Sequence, residues 1–355
     1  MKGEAYLSRK YNLCFDVLTI LACLMVVYFH CNGVIYNYSD TLSWKLSVVM
    51  RCVVYSAIPV FFMLSGAKLM NYRSRYTTKE YAKKRLNRVG IPFLFWNLFY
   101  VLYNVVSLPK QSYSSAKEFI SQFLNSEFQS RFWFFWPLFA VYLAIPVISL
   151  VLEAENHRKY LWYAVYVSFG LSFCLKPILG ILGIKYNSYL SLPVSAGFMV
   201  YVIFGYLVST EKWSRTKRYV LYVSALASGA FAVYYTITKS ALQEKTYQYM
   251  LSYEFFPSAL TGAAIFVFVK QLFEKFSGLS ELSTDDKSVK IIRTISSACM
   301  GVWLTHSLGI TAFLTAVPLD YTGYIFRFIC PPIIFTGCVI VVLIIKKIPY
   351  IRNIV

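Results

Sequence analysis

An apolar run from Phe15 to His30 (FDVLTILACLMVVYFH) holds one carboxylate, Asp16, and ends on an imidazole, His30. On a helix His30 lies ~21 Å further along the axis than Asp16. Ionisable groups are costly inside apolar segments and are therefore candidates for chemistry. An imidazole in apolar surroundings stays neutral and can accept a proton from a hydroxyl. The plainer alternative is a boundary histidine bonded to a neighbour or to water, and position 30 alone does not separate the two. The next run, Arg51 to Met70 (RCVVYSAIPVFFMLSGAKLM), carries Arg51 near one end and Lys68 near the other. Arg51 could extend to solvent or face an internal polar cavity, whereas Lys68 is expected to snorkel to an aqueous interface. Pro59 is expected to kink this run, and Ser65-Gly66 to let another helix approach closely. Arg85 and Arg88 are three apart and share a helix face, where two guanidinium groups form a fork suited to phosphate oxygens. Spacing alone favours the plainer reading of that pair as ordinary membrane-flanking charge. Arg131-Phe132-Trp133-Phe134 and Gly301-Val302-Trp303-Leu304-Thr305-His306 are the remaining polar-aromatic clusters. For His306 a packed, satisfied histidine is favoured over a second polar group of an internal site.

These residues sit on a framework that is apolar almost throughout. Of 355 residues 58% are hydrophobic and only 14% charged, with mean hydropathy +0.54, against about 25% charged in a soluble domain. Ten apolar segments, each near the ~20 residues needed to cross a hydrocarbon core, fall at 13–36, 46–70, 91–109, 131–152, 161–183, 191–209, 219–238, 255–273, 294–315 and 324–346. The expectation is an all-α, polytopic transmembrane bundle forming one domain over 1–355, with no appended soluble domain. The run after Lys10 is too long for a signal-peptide core and reads as a retained first helix.

An even number of spans puts both termini on one side. About 25 of the 35 Lys and Arg fall in connections on that side, including Lys2, Arg9 and Lys10, the run Arg73 to Arg88, and Lys346 and Lys347, which marks it as cytoplasmic. The segment 274–293 reads as the most loop-like stretch there, and the connections near 110–130 and 239–254 are too short for domains. Lys176, Glu254 and Arg327 read as outer-boundary residues. The net charge of +19 is explained by this bias, and nucleic acid is not an expected partner. The eight cysteines contain no Cys-x-x-Cys pair and the three histidines are far apart, so apolar packing is expected rather than a metal site or disulfide framework.

Taken in order, these pieces resemble the acyltransferase-3 family of integral membrane O-acyltransferases. The first span has the family's form at Asp16, Leu18, Ala22, Val26, Val27 and His30. The second has Arg51 and then Pro-Val-Phe-Phe-Met-Leu-Ser-Gly at 59–66. Arg85-x-x-Arg88 precedes Ile91-Pro92, the Trp-Phe pair stands at 133–134 with Pro146 following, and the ninth span runs from Trp303 to His306. One departure stands out. The family usually carries Arg or Lys eleven residues before the first-span histidine, and here that residue is Thr19.

The resemblance implies transfer of an acyl group, usually acetyl from acetyl-CoA, to a hydroxyl of a cell-surface or lipid-linked saccharide, in the cytoplasmic membrane and among membrane lipids. It implies His30 as general base, or less readily as acyl carrier, and Arg85 and Arg88 as contacts for coenzyme A. Arg51 is a candidate for stabilising the oxyanion, and Asp16, Ser65, Trp133 and His306 are candidate substrate or supporting residues. No metal is expected. A polytopic transporter or polysaccharide exporter, with His30, Arg51 and His306 along its path, is the competing expectation. A sensor or scaffold that keeps the fold without the chemistry is a third, with Thr19 as its argument.

Overall fold

The computed structural model describes residues 2–107, 115–275 and 286–355, with side chains from Leu13 onward. The side chains of Lys2, Arg9 and Lys10, and the centre of the expected loop 274–293, lie outside the described residues. Among the described residues there is no strand. The helices are α1 (Lys2–Cys31), α2 (Leu42–Val54), α3 (Ala57–Leu69), α4 (Thr78–Arg85), α5 (Ile91–Ser107), α6 (Ala116–Leu124), α7 (Phe135–Ile148), α8 (His157–Ser168), α9 (Lys176–Ile181), α10 (Met199–Thr210), α11 (Arg215–Gln243), α12 (Phe256–Lys275), α13 (Lys287–Ala316) and α14 (Cys330–Lys347).

Nine helical stretches among the described residues are long and apolar enough to cross a bilayer, and they overlie nine of the ten expected spans. The tenth, expected at 191–209, differs. Pro193 and Gly197, the latter at φ +55°, interrupt the chain before α10. The twelve residues of α10 extend ~18 Å, well short of a ~30 Å hydrocarbon core. Almost all of α10 is buried, because it packs inside the bundle against α3. Two glycines make that approach possible. A Cβ at Gly66 would collide with the Val202 carbonyl, and one at Gly205 with the Met63 backbone.

Prolines shape the other helices. The second span breaks at Tyr55-Ser56, one turn before Pro59, into α2 and α3. Pro146 leaves the Tyr142 carbonyl without its helical donor, and the Tyr81 hydroxyl donates to it at 3.1 Å. Leu86–Gly90, Phe169–Leu175 and Ile325–Ile329 are π-helical turns, each followed within two residues by a proline: Pro92, Pro177 or Pro331. A missing proline N–H removes an i→i−4 bond, and a widened turn is one way of accommodating its loss. The stretch after Met70 is also more ordered than a loop. α4 starts at a capping box formed by Thr77 and Glu80 and runs through the first π turn into α5.

All eight cysteines are unpaired, and all but Cys174 are buried. Arg327, expected at a boundary, is fully buried, donating to the Ser43 hydroxyl at 2.7 Å and the Ser43 carbonyl at 3.0 Å. Lys176 and Glu254 pair at 3.6 Å.

Candidate active site

α1, α3, α7 with the turn leading into it, and α13 surround two cavities that lie one after the other along the bundle axis. The larger, ≈560 Å³, opens at the end where α1 begins. Lys68, Arg75, Arg85, Arg88 and Arg293 line it, against a single carboxylate, Asp16. The smaller, ≈70 Å³, lies further along. Val26 and His30 of α1, Ala57 and Ile58 of α3, and Arg131, Trp133 and Trp303 are among its walls. Lys68 and Ala57 mark the two levels on α3, eleven residues or ~16 Å apart.

Local chemistry sets the larger cavity. Asp16 accepts from the Ser296 hydroxyl at 2.8 Å. Lys68 does not run out to the interface as expected. Its Nζ turns across to α1 and donates to the Thr19 hydroxyl at 3.1 Å. A cation therefore stands beside position 19 although residue 19 carries none. Arg75 donates to the Lys68 carbonyl at 2.5 Å, tying the chain after α3 to its last turn. Arg85 and Arg88 both face the cavity, and the buried Arg85 Nε has no partner. Ser65 lines the same space, its hydroxyl bonded back to the Phe61 carbonyl at 3.1 Å.

At the smaller cavity His30 meets an arginine from a distant part of the chain. Arg131 Nε donates to His30 Nδ1 at 3.2 Å, and Arg131 Nη1 donates to the Ser307 hydroxyl at 2.9 Å. A guanidinium only donates, so Nδ1 must be the accepting nitrogen and the proton of neutral His30 resides on Nε2. The His306 ring lies 5.0 Å away, centroid to centroid. Its Nδ1 is 2.6 Å from the Trp303 carbonyl, which only accepts, so His306 has the opposite tautomer. Its Nε2 is buried without a partner, so His306 is only partly satisfied. Trp133 stacks on Tyr253 at 5.3 Å, and Tyr253 lies 4.6 Å from Tyr55, giving the cavity an aromatic flank.

Arg51 stands just outside this cavity, behind its Phe29 wall. It is 1% exposed, with its guanidinium 3.9 Å from the Phe29 ring centroid and Nη1 donating to the Phe29 carbonyl at 3.4 Å. It does not line the His30 cavity. The structure thus brings His30, His306 and Trp133 into one neighbourhood and Asp16, Ser65, Arg85 and Arg88 into another, and leaves Arg51 behind Phe29. Sequence reasoning named Arg131, Trp303 and Lys68 without giving them a role in the site, and did not name Ser307 or Tyr253. Arg131 carried a signal, a cation two residues before the Trp-Phe pair, but its partner is 101 residues away.

Searches of curated proteins and of solved structures returned no match. A family model described as an acyltransferase domain matches residues 12–346. That span takes in both cavities and every helix around them, and the chain belongs to the acyltransferase-3 family of multi-pass membrane acyltransferases.

Proposed function

We propose that the protein transfers an acyl group from cytoplasmic acyl-CoA to a hydroxyl of a saccharide presented at the outer face of the cytoplasmic membrane. The observation that carries this reading is the ≈560 Å³ cavity with five cations against one carboxylate, aligned with the cavity at His30. Coenzyme A is polyanionic, with a diphosphate and a 3′-phosphate. Arg85 and Arg88 at the rim would clamp these groups, and Lys68 deeper in would meet the part of the diphosphate nearest the pantetheine arm. That arm then runs along the axis towards His30. The positive-inside bias would put the basic end in the cytoplasm. The faces of Trp133 and Tyr253 suit the C–H faces of a sugar ring entering from the other side.

In the transfer the acceptor oxygen attacks the thioester carbonyl and its proton passes to His30. The C–S bond then breaks, and the proton returns to the coenzyme A sulfur. The lone pair that takes the proton is Nδ1, which Arg131 covers. Base catalysis therefore requires Arg131 Nε to leave His30, and the developing oxyanion is the charge that would draw it away. The same movement uncovers the base and stabilises the intermediate. Arg131 takes the oxyanion role for which Arg51 was the sequence candidate.

Binding of acetyl-CoA to the purified protein in nanodiscs, wild type beside Arg85→Ala/Arg88→Ala, tests the donor reading. Saturable binding that falls at least about tenfold in the double variant supports it, since each charged hydrogen bond contributes ~1.5–3 kcal/mol. A folded wild type that binds no acyl-CoA returns the protein to the exporter or scaffold reading.

A further inference from the structure

Three aromatic rings from three parts of the chain meet between the two cavities. Trp303 of α13 lies 4.5 Å from Phe134, in the turn before α7, and 5.3 Å from Phe61 of α3, edge-on. Phe61 and Phe134 are themselves 6.1 Å apart. All three line the larger cavity, and Trp303 lines both. Its backbone is held from behind by the His306 ring, through the 2.6 Å bond to its carbonyl. Its Nε1–H is buried and has no partner in the protein.

The size of the space beyond Trp303 bears on what can pass. A cavity of about 150 Å³ holds benzene, six carbons, so ≈70 Å³ has room for roughly three heavy atoms. Two carbons and one oxygen are an acetyl group. Val26, Phe29, Val54, Ala57 and Ile58 make most of the wall apolar. The one cation there, Arg131, is held by His30 and Ser307 at rest and is needed by the oxyanion during transfer, so it is not free to pair with an acyl carboxylate. A carboxylated acyl group such as succinyl would bury its charge against that wall at high cost.

We infer that Trp303 selects the acyl group. It closes the inner end of the donor cavity so that only a short, uncharged acyl chain reaches His30, and its free indole N–H is the donor that receives the acyl oxygen at the crossing. A longer chain is stopped at the ring, which leaves its thioester on the donor side. This inference rests on the acyl-CoA reading above and names the acyl class for it.

The test is a dissociation-constant series for acetyl-, butyryl- and hexanoyl-CoA with the full-length protein in nanodiscs. Wild type is compared with Trp303→Ala, Trp303→Phe and Phe134→Leu. Chain-length ratios are taken within each variant, so that the fraction of folded protein cancels. The wild type is expected to bind hexanoyl-CoA at least about tenfold more weakly than acetyl-CoA, a cost within what misfit methylenes impose in a close pocket. Trp303→Ala is expected to bring the ratio to within about threefold on the same scale, with Trp303→Phe and Phe134→Leu between. A flat wild-type series, or variants that keep the wild-type ratio, overturns the selector while leaving the donor reading intact. A wild type that binds none of the three overturns both.

Discussion

The bond between Arg131 and His30 can be examined directly, because it dictates which ring nitrogen carries a proton. Arg131 donates to His30, Ser307 and Gln129 at 3.2, 2.9 and 3.4 Å, so Arg131→Gln removes a charged donor from one ring nitrogen and two side-chain oxygens. The His30 bond sets the resting tautomer, and in the transition state the same guanidinium donates to the oxyanion instead. Losing that charged hydrogen bond of ~1.5–3 kcal/mol from the transition state corresponds to about 10- to 100-fold in rate. Arg131→Lys keeps the charge but not the fork that reaches His30 and Ser307 together, and should fall between Arg131→Gln and wild type. The chain has only three histidines, so ¹⁵N imidazole spectra of the labelled protein in nanodiscs are assignable by comparison with His30→Gln. Wild type should show His30 protonated on Nε2, and Arg131→Gln should show both tautomers. A wild-type His30 protonated on Nδ1, or an Arg131→Gln enzyme transferring within about twofold of wild type against the 10-fold minimum, would refute the reasoning.

Arg51→Met should reduce transfer at least about tenfold less than Arg131→Met, because the Arg51 charge is turned to Phe29; equal losses in the same assay would restore Arg51 to the chemistry. Lys68→Met should weaken acyl-CoA binding about tenfold and flatten its salt dependence. Thr19→Arg in that background should recover most of the affinity, since both side chains supply a cation to the same space; titration at two ionic strengths reads both effects. Gly205→Val should lower the melting temperature in detergent through a cost of at least about 1–3 kcal/mol, its Cβ meeting the Met63 backbone. An unchanged melt would mean that α3 and α10 can separate freely.

The bundle was readable because nine spans announce themselves by length and composition. α10 misled because its residues are as apolar as those of a spanning helix. Burial inside the protein and burial in lipid select the same side chains, and Pro193 and Gly197 were the only signs of interruption. At the site, the one pair that spacing placed together was Arg85 with Arg88, three residues apart on a shared helix face. His30 was identifiable as an isolated polar group in an apolar run. Its arginine was not, because Arg51 and Arg131 are both cations at the ends of apolar runs. Nothing in one dimension says which of them folds over Phe29 and which reaches the imidazole. Lys68 erred for a related reason. A flexible stem allows an ammonium to seek water or to cross to a neighbouring helix, and the Thr19 hydroxyl that decides the matter lies 49 residues away.

The meeting of Phe61, Phe134 and Trp303 also bears on the electrical integrity of the bilayer. A wide vestibule with five cations at one end would attract chloride and phosphate, and a continuous watery path from it would discharge the membrane potential. Three packed rings offer a hydrated anion no replacement for its water shell, and an apolar constriction of this kind stays dry and blocks conduction. An uncharged acetyl carries no such shell. On the acyl-CoA reading, the same three side chains would let a small acyl group through while keeping the two sides of the membrane insulated from each other.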